Sequence, residues 1–305
     1  METKDWNVVT GANGYTGKYI TRRLLALGEK VKTLTGHPNR PTSFGNAVPV
    51  LPFNFENEKT LKKSLEGVKT IYNTYWVRFS YGHTTYDLAI ENTKTLIRAA
   101  KNAGVQKFVH VSIANPDENS PLPYYRGKGI LERELIQSEL SYTIIRPTVI
   151  FGDEDILINN IAWFLRNFPI FAVPGSGMYG IQPIFVEDMA DITVEAGHRD
   201  ENVILDAVGP HSFTFNEIVQ LIAKKIGSRT KVVHFPPWFA WQLSRILGIF
   251  VGDVVLTNEE VKGLMDNLLV SNQPPLGKTR LVDWLGKHRD SVGIRFASEL
   301  KRHFR

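Results

Sequence analysis

Residues 6–20, WNVVTGANGYTGKYI, give the clearest indication of the fold of this chain. It opens with a β-branched run at residues 8–10, of the kind that forms a buried parallel strand. Three glycines follow, and a helical apolar pattern comes after them. Gly11 permits a tight turn, Gly14 lets the backbone approach a pyrophosphate, and Gly17 lets the helix lie close to the strand. An ordinary glycine-rich turn is the alternative, but a strand before and a helix after favour a dinucleotide held at the helix N-terminus.

Composition restricts the class of protein. The 305 residues, 43% of them hydrophobic, suffice for a large core in one domain or two closely joined domains. The absence of cysteine excludes disulfides, thiolate catalysis and cysteine-based metal sites, and no metal site is predicted. The net charge of +5 is scattered among 31 acidic residues, so no nucleic-acid partner is expected. Neither a signal segment nor an uninterrupted apolar run of about 18 residues is present, so we expect a cytoplasmic protein without a transmembrane span.

Strands and helices alternate through the first half of the chain. After the first strand, further strands are predicted at residues 31–34, 48–53, 70–76, 107–112 and 141–146. The last of these is broken by Pro147 but is expected to continue to Gly152. Asn57 and Thr214 are predicted helix N-caps. Six strands alternating with helices predict an α/β fold, a Rossmann doubly wound parallel sheet.

Beyond residue 152 the pattern loosens. We therefore expect an NAD(P)-binding Rossmann domain at residues 1–152 and a smaller C-terminal, substrate-side lobe at residues 153–305. Strand and helix segments near residues 180–207 are expected to return to the Rossmann core.

The loop after the second strand bears on the choice of cofactor. In NAD-type Rossmann units an acidic residue at the end of this strand binds the ribose hydroxyls. Residues 35–40 here read TGHPNR, with no carboxylate. His37 or Arg40 is able to pair with a 2′-phosphate, although Arg40 as a plain surface residue is the alternative. We expect NADP(H) as the favoured cofactor, with NAD(H) as the second choice.

Polar groups at strand ends give further candidates, because ligands bind outside the carboxyl ends of parallel strands. Asn73, Thr74 and Tyr75 end the fourth strand and are expected to line the cofactor, whereas Trp76 is as readily explained by packing under a loop.

A candidate catalytic set follows the fifth strand. Ser112 stands at the edge of that strand, and Tyr124 and Lys128, four residues apart, share one helical face. A lysine ammonium stabilises phenolate, so the tyrosine is able to act as an acid–base group on a carbonyl or hydroxyl. The serine is able to donate a second hydrogen bond to that oxygen. Tyrosine and lysine at this spacing are common by chance. Their position after a strand that ends in serine is what indicates a catalytic set.

These motifs, in this order, resemble those of the short-chain dehydrogenase/reductase superfamily in its extended and atypical branches. TGANGYTG at residues 10–17 resembles the nucleotide motif, and Ser112 with Tyr124-x-x-x-Lys128 resembles the catalytic set. RPTVIFG, which begins at Arg146, and IFVEDMA, which begins at Ile184, are similar to two landmarks of sugar-nucleotide epimerases. The similarity extends to NmrA-like regulators and to a complex I accessory subunit.

The resemblance also implies which residues bind the cofactor. Those for the pyrophosphate are Gly11, Asn13, Gly14, Tyr15, Thr16 and Gly17. His37 and Arg40 would read the adenosine ribose, and Asn54 and Phe55 the adenine. Lys128 would bind the nicotinamide ribose, and the remaining members of the set are Asn73, Thr74, Tyr75 and Pro147.

The implied function is an NAD(P)-dependent oxidoreductase or epimerase/dehydratase acting on an unknown small molecule. Tyr124 would be the acid–base group, Lys128 would lower its pKa, and Ser112 would orient the carbonyl. A non-catalytic NAD(P)H-binding regulator or accessory subunit is the alternative, because a fold alone does not give a function. The unusual strand end at residues 73–76 favours that alternative, since its large side chains would obstruct a substrate.

An aromatic helix is predicted at residues 236–250, with Trp238, Trp241, Leu243 and Ile246 among its apolar residues. We expect it to belong to the core or to a substrate lid, without bilayer contact. At about 1.5 Å per residue it reaches roughly 22 Å, short of a ~30 Å hydrocarbon layer. A peripheral membrane contact, with the helix lying flat, is the less favoured alternative.

Overall fold

The computed structural model describes residues 5–303, apart from the side chains of Ala240, Leu243, Ile246, Phe250 and His303. Some sequence predictions fall outside the described residues. They concern the N-terminal residues 1–4 and the apolar side chains of Leu243 and Ile246 in the predicted aromatic helix.

The helices and strands alternate as the sequence predicts. In chain order they are β1 (Trp6–Thr10), α1 (Tyr15–Ala26), β2 (Lys30–Thr35), a 3₁₀ turn (Gly45–Ala47), β3 (Val50–Pro52), α2 (Glu58–Ser64), β4 (Val68–Asn73), α3 (Tyr86–Asn102), β5 (Lys107–Val111), α4 (Pro123–Gln137), β6 (Tyr142–Pro147), β7 (Ile150–Phe151), α5 (Leu157–Asn167), β8 (Ile170–Pro174), β9 (Gly180–Ile181), β10 (Ile184–Phe185), α6 (Val186–Gly197), β11 (Val203–Ala207), β12 (Phe213–Thr214), α7 (Phe215–Ile226), β13 (Lys231–Phe235), α8 (Pro237–Val251), α9 (Asn258–Met265), α10 (Leu281–Lys287) and α11 (Glu299–His303). They form two units, Met1–Pro147 with Met189–Leu205, and Thr148–Asp188 with Asp206–Arg305.

The first unit is built on a seven-stranded sheet in the order β11-β6-β5-β4-β1-β2-β3. Strand β1 pairs in parallel with both β2 and β4, and the pairs β2–β3, β4–β5 and β5–β6 are also parallel. The chain therefore runs outward from β1 in one direction to β3 and then restarts on the other side at β4. Ligands of doubly wound sheets bind at the carboxyl end of such a reversal point. The predicted α/β Rossmann fold is confirmed.

Two strand ends differ from the sequence prediction. Strand β4 ends at Asn73, so residues 74–76 follow the strand and do not belong to it. Strand β6 ends at Pro147, and β7 pairs in parallel with β10 instead of continuing the sheet strand. Proline has no N–H for the next ladder hydrogen bond, so a strand end at this residue is physically expected.

The second unit has its own hydrophobic core. Side chains of α5, α7 and α10 pack together with β8, and β8 pairs in parallel with β13. Thr214 caps α7 as predicted, and Glu217 completes a capping box with it. No helix in the described part of the chain is long and apolar enough to cross a membrane.

The aromatic helix α8 contacts β8 and α9 within the second unit. It does not bury all of its aromatic residues, because Trp238 is 67% exposed. Trp238 therefore does not belong to the core, which was one of the two roles expected for this helix, and the role of a substrate lid stays a prediction.

Candidate functional site

The glycine turn between β1 and α1 has the backbone geometry that its sequence predicts. Gly11 has a φ of +68°, a conformation that favours glycine, and its N–H donates to the Leu34 carbonyl at 2.8 Å. A Cβ on Gly17 would lie 2.3 Å from the Gly11 carbonyl oxygen, so only glycine lets α1 approach the turn. Gly14 has ordinary extended backbone, and a Cβ there would lie 3.1 Å from the same oxygen. The requirement at Gly14 is therefore one of space and not of backbone conformation.

Two threonines that sequence reasoning missed support this turn. The Thr33 hydroxyl accepts from the N–H of Ala12 at 3.1 Å and donates to the Val9 carbonyl at 2.7 Å. The Thr42 hydroxyl donates to Asn13 Oδ1 at 2.9 Å, which ties the loop after β2 to the glycine turn.

The start of α1 suits an anion. The helix begins at Tyr15 and Thr16, no side chain caps it, and no acidic residue lies in its first turn. The positive end of the helix dipole is therefore not neutralised by a carboxylate of that turn. Together with the close glycine packing, these residues fit the pyrophosphate of a dinucleotide.

The loop after β2 presents its cationic candidates to solvent. His37 and Arg40 are both exposed, and the N–H of Arg40 donates to the His37 carbonyl at 3.1 Å in a turn. The N–H of His37 donates to Thr35 Oγ1, also at 3.1 Å. The structure brings both residues to the carboxyl end of β2.

An aromatic cluster lies beyond β3 and β4. The rings of Phe53 and Phe55 stack at 4.6 Å, and the ring of Tyr75 lies 5.0 and 5.2 Å from them. Asn54, between the two phenylalanines, has a φ of +51°. The Tyr75 hydroxyl accepts from Asn92 Nδ2 at 2.9 Å, and burial raises the pKa of that phenol. Phe55 and Tyr75, which were predicted to contact different parts of the cofactor, therefore lie in one aromatic cluster. Phe53 also belongs to this cluster, although it was not a predicted site residue.

A buried polar network connects the ends of β1, β4 and β5. Thr10 Oγ1 donates to Asn73 Oδ1 at 3.0 Å and accepts from the N–H groups of Thr74 and Tyr75 at 2.7 and 3.0 Å. Asn73 Nδ2 donates to His110 Nδ1 at 3.0 Å, which assigns the proton of the neutral ring to Nε2. Asn73 is 0% exposed, so its side chain holds the strand ends together. Neither Thr10 nor His110 was a predicted site residue, although both are polar residues within apolar strands.

His110 Nε2 has no hydrogen-bond partner among the described residues. Burial, and then the charge of Lys128, hold the pKa of His110 well below its ordinary value. The imidazole is therefore neutral and carries an unsatisfied N–H close to the lysine.

Lys128 is the most unusual charged group of the site. Its side chain is 2% exposed, Nζ donates to the Val111 carbonyl at 2.7 Å, and the Trp76 ring centroid lies 4.5 Å from Nζ. Burial lowers the pKa of Lys128 to about 7, against the opposing charge of Glu132. Glu132 is itself held by Arg146, whose Nε lies 3.0 and 3.2 Å from its two oxygens.

Trp76 connects Tyr124 to Lys128, whereas Ser112 lies at the end of β5 next to Val111 in sequence. The Tyr124 ring meets the Trp76 ring edge-on at 5.7 Å. Ser112 directly follows Val111 and is 3% exposed, and its Oγ has no partner in the described part of the chain. A Cβ on Gly127 would lie 2.6 Å from Trp76 Cη2, so this glycine of α4 makes room for the indole.

The arrangement offers an ammonium, a phenol and an unpaired hydroxyl at the carboxyl end of a parallel sheet. Pro147 ends β6 beside them, and its carbonyl accepts from the N–H of Ala114 at 2.8 Å. Acid–base and hydrogen-bond chemistry suit these groups. Among residues 5–303, no cluster of histidine and carboxylate side chains is suited to a metal ion.

Known proteins resemble this chain in sequence and in structure. Residues 11–159 match the NAD(P)H-binding family. The NADH dehydrogenase [ubiquinone] 1 alpha subcomplex subunit 9 of Arabidopsis thaliana is 24% identical over 242 residues, which are 75% of this chain and 60% of that protein. The chain thus spans less than two thirds of the length of that relative. The photosystem II assembly factor Ycf39 of Cyanidium caldarium is 26% identical over 246 residues, which are 80% of this chain and 78% of that protein.

A solved structure shares the fold. It is the triphenylmethane reductase of Citrobacter sp. complexed with NADP(H), with a TM-score of 0.72 and 19% identity over 93% of this chain and 99% of the reductase.

Proposed function

Because the chain is an NAD(P)-binding Rossmann protein of the extended short-chain dehydrogenase/reductase superfamily, we propose that it is an NAD(P)H-dependent oxidoreductase or epimerase/dehydratase acting on a small molecule. The observation that carries the proposal is the buried Lys128, held between the Val111 carbonyl and the Trp76 ring, together with the buried, unpaired hydroxyl of Ser112, the residue that follows Val111. A fold needs neither a buried ammonium nor a buried hydroxyl without a partner, and perturbed groups of this kind concentrate at functional sites.

The three residues have separate roles in this proposal. Tyr124 gives a proton to, or takes one from, the substrate oxygen. The Lys128 ammonium lowers the pKa of that phenol, and its effect is enlarged by the low dielectric of its surroundings. The Ser112 hydroxyl donates a hydrogen bond to the same substrate oxygen and orients it. A bound nicotinamide supplies or accepts the hydride.

The cofactor residues follow from the turn and the strand ends. The glycine turn, with Asn13, Tyr15 and Thr16, would hold the pyrophosphate, and Asn54 and Phe55 would contact the adenine. Thr74, Tyr75 and Pro147 would line the dinucleotide, and Lys128 would also bind the nicotinamide ribose. Asn73, being fully buried, would act by positioning Thr10 and the backbone of residues 74–75.

We propose NADP(H) as the preferred cofactor. The end of β2 has no carboxylate to repel a 2′-phosphate, and the exposed cationic side chains of His37 and Arg40 lie at that end. The NADP(H) bound to the structurally similar reductase supports this choice. The cytoplasmic location expected from composition stays a prediction, since mitochondrial subunits are among the relatives.

A non-catalytic NAD(P)H-binding regulator or accessory subunit is the second candidate. The position of Trp76 favours it, because the indole covers Lys128 and packs against Tyr124. The relatives named as a complex I subunit and as an assembly factor also support this role.

The deciding experiment measures NADPH binding by calorimetry and NADPH consumption by absorbance against a panel of aldehydes, ketones and quinones. Tyr124→Phe keeps the ring that packs on Trp76 and removes only the hydroxyl. We expect NADPH-dependent turnover that this variant lowers by about 10²- to 10⁴-fold without weakening NADPH binding.

Tyr142→Phe is the matched control, because Tyr142 opens β6 at the opposite end from Pro147. Turnover that survives Tyr124→Phe would overturn the catalytic assignment. Tight NADPH binding with no consumption across the panel would favour the accessory role.

A further inference from the structure

Helix α8 presents an exposed face that combines aromatic, aliphatic and cationic side chains. Trp238 is 67% exposed and Ile249 is 82% exposed. Gln242 and Arg245, also exposed, lie between them. These positions are separated by four, three and four residues, so they share one face of the helix. Large exposed apolar side chains grouped on one face indicate an interaction surface.

The apolar surface continues beside the start of α8. A Cβ on Gly175 would lie 3.9 Å from Pro237 Cγ, which places the turn at residues 174–178 next to the helix N-terminus. Met178 in that turn is 66% exposed. Phe239, in the first turn of α8, is 38% exposed and lies 4.9 Å from the ring of Phe235. The turn and the helix together form what we call the α8 surface.

Helix α8 carries charge of one sign, since Arg245 is the one charged residue in the sequence of residues 237–251, whereas the adjoining α9 carries Glu259 and Glu260. Residues 218–252 contain no aspartate or glutamate, and neither do residues 167–186. The Arg245 guanidinium lies 5.1 Å above the Trp241 ring, so a cation is held on the same helix as the exposed tryptophan. The partner of such a surface is expected to be apolar and anionic.

We propose that the α8 surface docks on an anionic lipid bilayer, with α8 lying in the plane of the interface. Trp238 and Ile249 would enter the boundary between headgroups and acyl chains, and Arg245 would pair with lipid phosphates. A second copy of the chain fits less well, because a symmetric contact centred on Arg245 brings two like charges together. The proposal is independent of the proposed enzymatic function.

Flotation of the full chain with vesicles tests the proposal. One set of vesicles is phosphatidylcholine alone, and the other mixes phosphatidylcholine with phosphatidylglycerol at about three to one. We expect the protein to float with the anionic vesicles at low salt and to be released as salt is raised. Trp238→Ser combined with Ile249→Ser should lower the floated fraction by about tenfold, and Arg245→Gln should remove the preference for the anionic vesicles.

Ile294→Ser is the matched control, since Ile294 is a 59% exposed isoleucine of the same unit outside the α8 surface. Circular dichroism and thermal unfolding establish that each variant is folded, as expected for exposed positions. The proposal is overturned if the wild-type chain does not float with anionic vesicles at low salt, or if the double variant floats equally well. A wild-type dimer that the double variant dissociates, without flotation, would assign the surface to a second copy.

Discussion

Replacing Lys128 with methionine should stabilise the ligand-free protein at acidic pH while it abolishes turnover. Burial lowers the pKa of Lys128 from 10.5 to about 7. Between those two values the unfolded chain holds more protons than the folded chain, so stability rises with pH. The cost of the buried ammonium is therefore fully present below about pH 7 and disappears above the unfolded pKa.

The magnitude follows from the lowered pKa. At about 1.4 kcal/mol per pH unit, raising the pH from about 6 to about 9 removes about 2–3 kcal/mol of this cost from the wild-type protein. Methionine has no proton to lose, so the variant lacks this contribution to the pH dependence. Interactions that only the charged ammonium makes with the Val111 carbonyl and the Trp76 ring already contribute to the pKa of Lys128, so they add no separate term to the stability difference between the two pH values.

Urea denaturation of both proteins at about pH 6 and about pH 9 measures the effect. The stability of Lys128→Met relative to wild type should be about 2–3 kcal/mol more favourable at the lower pH. Lys63→Met, which replaces an exposed lysine of α2, is the control and should show no such difference. A relative stability that is the same at both pH values would refute the reasoning, because Lys128 would then not be a buried ammonium with a lowered pKa.

Three further substitutions test the turn, the indole and the cofactor. Gly17→Ala should destabilise the protein by about 1–3 kcal/mol in urea denaturation and weaken NADPH binding in calorimetry, because the Cβ would meet the Gly11 carbonyl at 2.3 Å. Gly127→Ala should lower turnover several-fold with little change in melting temperature, because the Cβ displaces Trp76 while alanine contributes about 1 kcal/mol of helix propensity. Arg40→Ala should weaken NADPH binding by about tenfold and leave NADH binding nearly unchanged in calorimetric titrations.

Gly286→Ala is the control for the two glycine substitutions, and Arg22→Ala is the control for Arg40→Ala. Gly286→Ala in α10 places a Cβ 3.6 Å from Lys225 Nζ, an ordinary contact, and should not destabilise the protein. Arg22→Ala removes an exposed arginine of α1 and should affect NADPH and NADH equally. Unchanged NADPH binding in Gly17→Ala would mean that the glycine spacing serves only the turn. An Arg40→Ala effect of equal size on both nucleotides would contradict 2′-phosphate recognition.

Local signals in the sequence were sufficient for the α/β class and for the glycine turn. Apolar runs and helical periodicity depend on residues a few positions apart, and the Asn57 and Thr214 caps act on N–H groups three residues away. The spacing of the glycine motif likewise predicts the positive φ of Gly11 and the close approach of Gly17 to the Gly11 carbonyl. These features are readable because each depends on a short stretch of chain.

Tertiary structure alone decided how the candidate site is assembled. The seventh strand, β11, joins β6 from far along the chain, and the predicted continuation beyond Pro147 pairs elsewhere. The Thr10–Asn73–His110 network spans three strands, and no local pattern requires its members to meet. The sequence predicted a lysine one helical turn after a tyrosine, but only the fold places Trp76 over Lys128 and leaves the ammonium buried. Burial and the pKa that it lowers depend on side chains that are distant in sequence, and for that reason periodicity and spacing do not reveal them.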